Sequence, residues 1–148
     1  MLHGSAYFSA SEFACRCKCG FGSTDIDIPQ DFVYALHTLR RLLSVPFVIT
    51  SAARCAKHNT AEGGAKKSAH LPGMKGQCTP SYEGQCRAVD IQTTSWSCEL
   101  RGRAVVLALA LGLRVGLHKD FLHFDCELRP YYNPGIWLYG TGETSGTS

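Results

Sequence analysis

A chain of 148 residues with 45% apolar and 18% charged residues matches one folding unit with an ordinary buried core, which excludes a disordered, fibrous or low-complexity protein. Fifteen Lys and Arg against twelve Asp and Glu leave a net charge of +3. Its basic pairs Arg40-Arg41 and Lys66-Lys67 are too short to make a nucleic-acid-binding face.

The most apolar stretch, Ala104 to Leu113, is far shorter than the roughly 20 residues that span a bilayer, so no membrane anchor is expected. Met1 to Phe8 lacks the basic start and apolar run of a secretory signal, which predicts synthesis in the cytoplasm. Eight cysteines are then expected as free thiols or metal ligands, although release into an oxidising space would permit disulfides, and about 105 pairings stay open.

Ser9 with Glu12 has the spacing of a capping box and predicts a short helix ending near Gly20 or Gly22, carrying Cys15, Cys17 and Cys19. Phe32, Val33, Leu36, Leu39, Leu42 and Leu43 recur at helical spacing after Pro29, and Pro46 stops that helix. Phe47 to Thr50 reads as a buried strand with Arg54 beyond its end. Cys55 to Lys67 reads as a loop with one or two helical turns, and Leu71 to Gln85, rich in Gly and Pro, as a long loop. Arg87 to Ile91 resumes strand character, Thr94 or Ser95 caps a helix from about Trp96 to Leu111, and strands follow at Leu113 to Leu117 and Phe121 to Asp125. An aromatic tail runs through Trp137 and Tyr139. The alternation predicts an α+β domain with a small, mainly antiparallel central sheet flanked by helices. It spans residues 1–140, with a flexible tail at 141–148.

His70, Asp90 and His123 each fall at or beside a predicted strand, where a rigid scaffold can bring them together. Two imidazoles and a carboxylate suit zinc, and three protein ligands leave a fourth position for water, the arrangement of a catalytic site. Asp120, three residues before His123, is placed to act as general base, with Asp125 its competitor for that role or an orienter of His123. Arg54 suits an oxyanion or a substrate carboxylate, Ser68 a hydrogen bond to substrate or to a ligand, and His118 a substrate contact or support of His123.

The segments Val48 to Asn59, Gly63 to His70, Ala88 to Ile91 and Phe121 to Asp125 together resemble the zinc D-Ala-D-Ala carboxypeptidase family. That family includes the D-Ala-D-Ala dipeptidases of vancomycin resistance and the phage endolysins that cut L-Ala-D-Glu bonds. Its motifs occur here in order: Ser51 with Arg54, Ser68-Ala69-His70, Asp90-Ile91, and Asp120 before His123. The resemblance runs from about Phe8 to Tyr139 and includes Arg129-Pro130 and Trp137. It implies the fold shared with the hedgehog signalling domain, Zn2+ on His70, Asp90 and His123, Asp120 as base and Arg54 at the substrate. The expected substrate is a peptidoglycan stem peptide, and the expected setting is phage-type lysis by a monomer.

Two departures stand beside the match. The interval from His70 to Asp90 is lengthened by a loop inserted at about 74–86, which Cys78 and Cys86 bracket and a disulfide between them would close. Ala52-Ala53 replaces the family's Gly-Tyr before the Arg, removing an aromatic from the pocket. Cys15, Cys17 and Cys19 with Cys55 suit a second, structural zinc, disulfides or free thiols, since Cys-x-Cys is not the usual knuckle spacing. Cys98 and Cys126 are expected to be buried, His3 and His37 to be on the surface, and Tyr131, Tyr132 and Trp137 to pack or line a rim. The rival reading is a zinc-stabilised binding module of the same fold without catalysis.

Overall fold

In the computed structural model, which describes residues 1–74, 78, 80–126 and 135–139, Phe32, Val33, Leu36, Leu39 and Leu43 line one stripe of α2 (Gln30–Leu43) and are all buried. The helix ends where Ser44 turns left-handed (φ 55°) and its N–H bonds the Arg40 carbonyl, two residues ahead of Pro46. Against it packs α4 (Cys98–Ala110), whose fully buried residues are Ala104 and Ala108, one turn apart. Their small side chains let the helix approach closely.

Ser97, rather than Thr94 or Ser95, caps α4: its Oγ accepts the Leu100 N–H at 3.1 Å. Trp96 is held out of the helix because its N–H bonds the Thr93 carbonyl while its ring packs on Phe47.

The sheet has the order β1-β2-β4-β3-β5, formed by β1 (Ile49–Ser51), β2 (Ala88–Gln92), β4 (Phe121–Asp125), β3 (Arg114–Leu117) and β5 (Ile136–Leu138). Every pairing is antiparallel except β3 with β5. The expected α+β architecture is therefore present. Alternation sorts each central strand: Val89, Ile91, Leu122, Phe124 and Val115 enter the hydrophobic core, while Asp90, His123 and Gly116 take the opposite face. β5 was not expected, because three residues are too few to show alternation and Leu138 is exposed.

The first helix is shorter than its spacing suggested. α1 covers Ala10–Phe13 with the Ser9–Glu12 capping box in place, and Ala14 is already extended. Phe13 is anchored in the core and the Cys15 N–H bonds the Phe21 carbonyl, so the cysteine segment becomes a closed turn instead of a helix. α3 (Ala56–Ala61) is the helical piece expected between Cys55 and Lys67.

The described part of the inserted loop docks on the start of α2. Tyr82 donates to Asp31 at 2.6 Å and the Cys86 N–H to the Asp27 carbonyl at 2.8 Å. The Cys78–Cys86 bridge that the spacing permitted is not formed: Cys86 is a free, buried thiol bonded to the Ala88 carbonyl. Residues 75–77 and 79 of this loop, Arg129, Pro130, Tyr131 and Tyr132, and the tail expected at 141–148 lie outside the described residues.

Cys98 is exposed at the start of α4, contrary to expectation, whereas Cys126 is buried. His3 and His37 are half-buried rather than free on the surface, bonded to the Ile28 carbonyl and to Ser5. Among the described residues no helix is long and apolar enough to cross a membrane.

Candidate metal centre

Strand register does most of the assembly. Asp90 on β2 lies directly opposite His123 on β4, and His123 in turn lies opposite Gly116 on β3. The third residue, His70, comes from a loop fixed at both sides. The Arg54 N–H bonds the His70 carbonyl and the Arg87 N–H bonds the Ala69 carbonyl, each at 2.9 Å. Ser68 takes the His70 N–H on its Oγ at 3.2 Å, so this serine shapes the loop that carries the histidine.

The potential ligand atoms of His70, Asp90 and His123 lie within 4.8 Å of one another, and all three side chains are fully buried. His70 Nε2 is 3.3 Å and His123 Nδ1 2.9 Å from Asp90 Oδ1, and the two rings meet edge to face. Among the described residues, His70 Nε2 and Asp90 Oδ2 complete no hydrogen bond. Buried polar atoms are rarely left so. Two orphaned ligand atoms of the right chemistry, within one buried cluster, fit a cation.

The tautomers agree with that fit. His70 Nδ1 donates to the Ala52 carbonyl at 2.6 Å, which leaves the Nε2 lone pair facing the cluster. His123 Nε2 donates to Asp125 Oδ2 at 2.8 Å, leaving Nδ1 on the cluster side. Asp125 is itself clamped by the fork of Arg114, at 2.7 and 2.9 Å. Carboxylate support of a ligating histidine is a recurrent feature of metal sites.

Electrostatics follow from this burial. Desolvation pushes the His70 imidazole down, against the pull of Asp90. Burial alone would raise the carboxyl of Asp90, but His70 and His123 overcome it and hold Asp90 well below the usual carboxylate range. Burial would likewise lower His123, yet hydrogen bonds to Asp125 and Asp90 raise it to about 9. Asp125 resists its own desolvation through His123 and Arg114 and falls to about 2.

The other expected site residues are arranged differently. Arg54 is only 1% exposed, and its Nη1 donates to Asn59 Oδ1 at 3.1 Å behind the cluster. A Cβ at Gly64 would come within 2.8 Å of that guanidinium, so glycine is required there. Asp120 sits on the turn between β3 and β4 with its side chain 56% exposed, and its carboxylate is 4.0 Å from His118. His118 stacks on Phe121 and borders a cleft of about 700 Å³ with Arg101, Leu117, Leu138 and Tyr139. That cleft adjoins the cluster without containing its three residues.

Sequence reasoning missed Arg114, the Ala52 carbonyl and the wall formed by β5. Trp137 lies 5.2 Å from His123, ring centre to ring centre, and the Arg114 guanidinium is 4.8 Å over its indole. A Cβ on Gly116 would meet Trp137 and Tyr139 at 2.7 to 2.9 Å, so the missing side chain is what admits both aromatics. The signal for Arg114 was present in Arg114-Val115-Gly116-Leu117, whose alternation puts Arg114 and Gly116 on the face of His123.

The family model of Peptidase M15 matches residues 6–125. The chain belongs to this family. Its members are zinc peptidases acting on peptidoglycan, of D-Ala-D-Ala carboxypeptidase or endolysin type, and the fold observed here agrees with theirs. No curated protein and no solved structure gives a significant match. The matched span holds His70, Asp90, His123 and Asp125, whereas Trp137 on β5 and Tyr139 just after it fall beyond it.

Proposed function

We propose that the chain is a zinc peptidase that hydrolyses an amide bond in the stem peptide of bacterial peptidoglycan, with the metal held by His70, Asp90 and His123. The observation that carries this reading is the buried trio itself, in which His70 Nε2 and Asp90 Oδ2 complete no hydrogen bond among the described residues. Bound zinc would supply an activated water near neutral pH and polarise the scissile carbonyl.

The chain's own residues account for the rest. Ala52 and Asp125 fix the two imidazoles so that Nε2 of His70 and Nδ1 of His123 turn to the metal, and Arg114 holds Asp125 in place. Asp120 is the candidate to accept the water's proton, because it is an exposed carboxylate on the turn that leads into the strand delivering His123. Arg54 adds positive charge behind the cluster, and Trp137, Tyr139 and His118 form an aromatic wall along which a substrate peptide lies.

Two stem-peptide bonds fit the family, D-Ala-D-Ala and L-Ala-D-Glu, and the endopeptidase type is the phage-lysis reading. One observation favours a second reading, a metal-stabilised binding module without catalysis: Arg54 is sealed from solvent and bonded to Asn59. Metal analysis and digestion of purified muropeptides, compared between the natural protein and Asp120→Ala, separate the two. Zinc in both proteins with fragment release only by the natural one supports the peptidase, and the fragment mass names the bond. Zinc in both with no cleavage by either supports the binding module.

A further inference from the structure

The turn that replaced the expected N-terminal helix brings four cysteines together. Sγ atoms of Cys15, Cys17, Cys19 and Cys55 all lie within 4.8 Å of one another. Cys17 Sγ is 3.4 Å from Cys15 Sγ and 3.5 Å from Cys55 Sγ. Four sulfurs around a tetrahedral zinc at about 2.3 Å stand about 3.8 Å apart, so small adjustments suffice to close such a shell.

The backbone is built for it. Lys18 adopts a left-handed φ of 65° between Cys17 and Cys19, and the Lys18 N–H bonds the Cys15 carbonyl at 3.0 Å, so the three thiols converge instead of alternating as on a strand. The Cys55 N–H points at Cys15 Sγ and the His58 N–H at Cys55 Sγ, both at 3.4 Å. Such N–H groups stabilise thiolate charge. Four thiols at this spacing are poorly suited to remain as free neighbours in water, and tetrahedral sulfur ligation selects zinc or iron.

We propose that Cys15, Cys17, Cys19 and Cys55 form a second, structural zinc site, separate from the His70, Asp90 and His123 cluster. Binding displaces the thiol protons to solvent and forms four Zn–S bonds with no change of oxidation state. Its consequence is mechanical. Cys55 follows Arg54 directly and lies three residues after Ala52, the residue whose carbonyl holds His70 Nδ1. The zinc would tie the N-terminal turn to the segment that orients a ligand of the other metal, beside the existing bond from the Ala53 N–H to the Phe13 carbonyl. All four cysteines are free in this structure.

The test measures zinc per chain in protein purified under reducing conditions, for the natural chain, for Cys17→Ser with Cys19→Ser, for His70→Ala, and for a variant combining all three substitutions. The natural protein is expected to hold two zinc ions, each variant one, and the combined variant none. Zinc K-edge absorption on the His70→Ala protein should show four sulfurs at about 2.3 Å, and on the natural protein a mixture of sulfur with nitrogen and oxygen. The natural protein provides this readout even if a cysteine variant fails to fold. Iron in the sulfur shell, no sulfur shell, an unchanged zinc content after the cysteine substitutions, or a disulfide among these four cysteines by peptide mapping would each overturn the proposal. A sulfur shell without a nitrogen and oxygen shell would instead leave this site standing and remove the peptidase's metal.

Discussion

In the metal-free protein both nitrogens of His123 face carboxylates, Nδ1 at 2.9 Å from Asp90 and Nε2 at 2.8 Å from Asp125, so both must carry protons. Its pKa of about 9 follows from those bonds, against the opposing effect of burial. A metal ligand must be a neutral imidazole, and zinc at Nδ1 therefore displaces a proton. At pH 7 the group is about two units below its pKa, which weakens apparent zinc binding ~100-fold, on the order of 3 kcal/mol.

His70 is already pushed toward the neutral form and Asp90 toward the ionised form, so neither adds a proton to the count. Zinc affinity should accordingly rise about tenfold per pH unit between roughly pH 6 and 8.5, with about one proton released at this site at pH 7. The assay is competition with a chromophoric chelator across pH, together with calorimetry in buffers of different ionisation heat, using Cys17→Ser/Cys19→Ser protein so that only this cluster is titrated. The same raised pKa stabilises the metal-free fold fully below about pH 6.5, and that contribution is lost as pH rises through about 9. An affinity independent of pH from 6 to 8, with no proton released, would refute the reasoning.

Asp125→Asn should lower zinc affinity 10- to 100-fold and destabilise the fold by roughly 3–5 kcal/mol, because it leaves the Arg114 guanidinium buried without its carboxylate; denaturant titration and metal competition measure the two effects. Asp120→Asn should leave zinc content unchanged while cleavage falls roughly 10²- to 10⁴-fold, read from muropeptide turnover. Gly116→Ala, whose new methyl would press on Trp137 and Tyr139, should destabilise by roughly 1–3 kcal/mol, visible as a lowered Tm, whereas Gly102→Ala, with open space around it, should not.

Long periodic patterns carried well from sequence to structure. The stripe of α2 and the alternation of β2 and β4 are each set by local burial, and each was legible from apolar spacing. The trio of His70, Asp90 and His123 was suggested by residue type and secured by the motif resemblance, since their separations of 20 and 33 positions carry no geometric signal until register pairs the strands. Asp125 could be suspected as a support for His123 because alternation puts positions 123 and 125 on one face. Its own clamp, Arg114, shares a face with Gly116 by the alternation of 114–117, but that the pair lies beside Asp125 and His123 follows only from the register of β3 with β4. The cysteine turn was misread as helix because Ser9 and Glu12 announce where a helix starts, while its end at Phe13 is decided by tertiary anchoring.

The site also explains why the sheet is so small. Two rows of residues run across it, Ala88, Asp125 and Arg114 in one, and Asp90, His123, Gly116 and Trp137 in the next. The first row supplies the support and the second two of the three candidate ligands, with His123 touching both rows through its two nitrogens. Three central strands are enough to build both rows, because the neighbour across a strand pair is closer than any neighbour along the chain on that face. Gly116 is the empty place in the second row, and Trp137 on β5 and Tyr139 just after it fill it from outside.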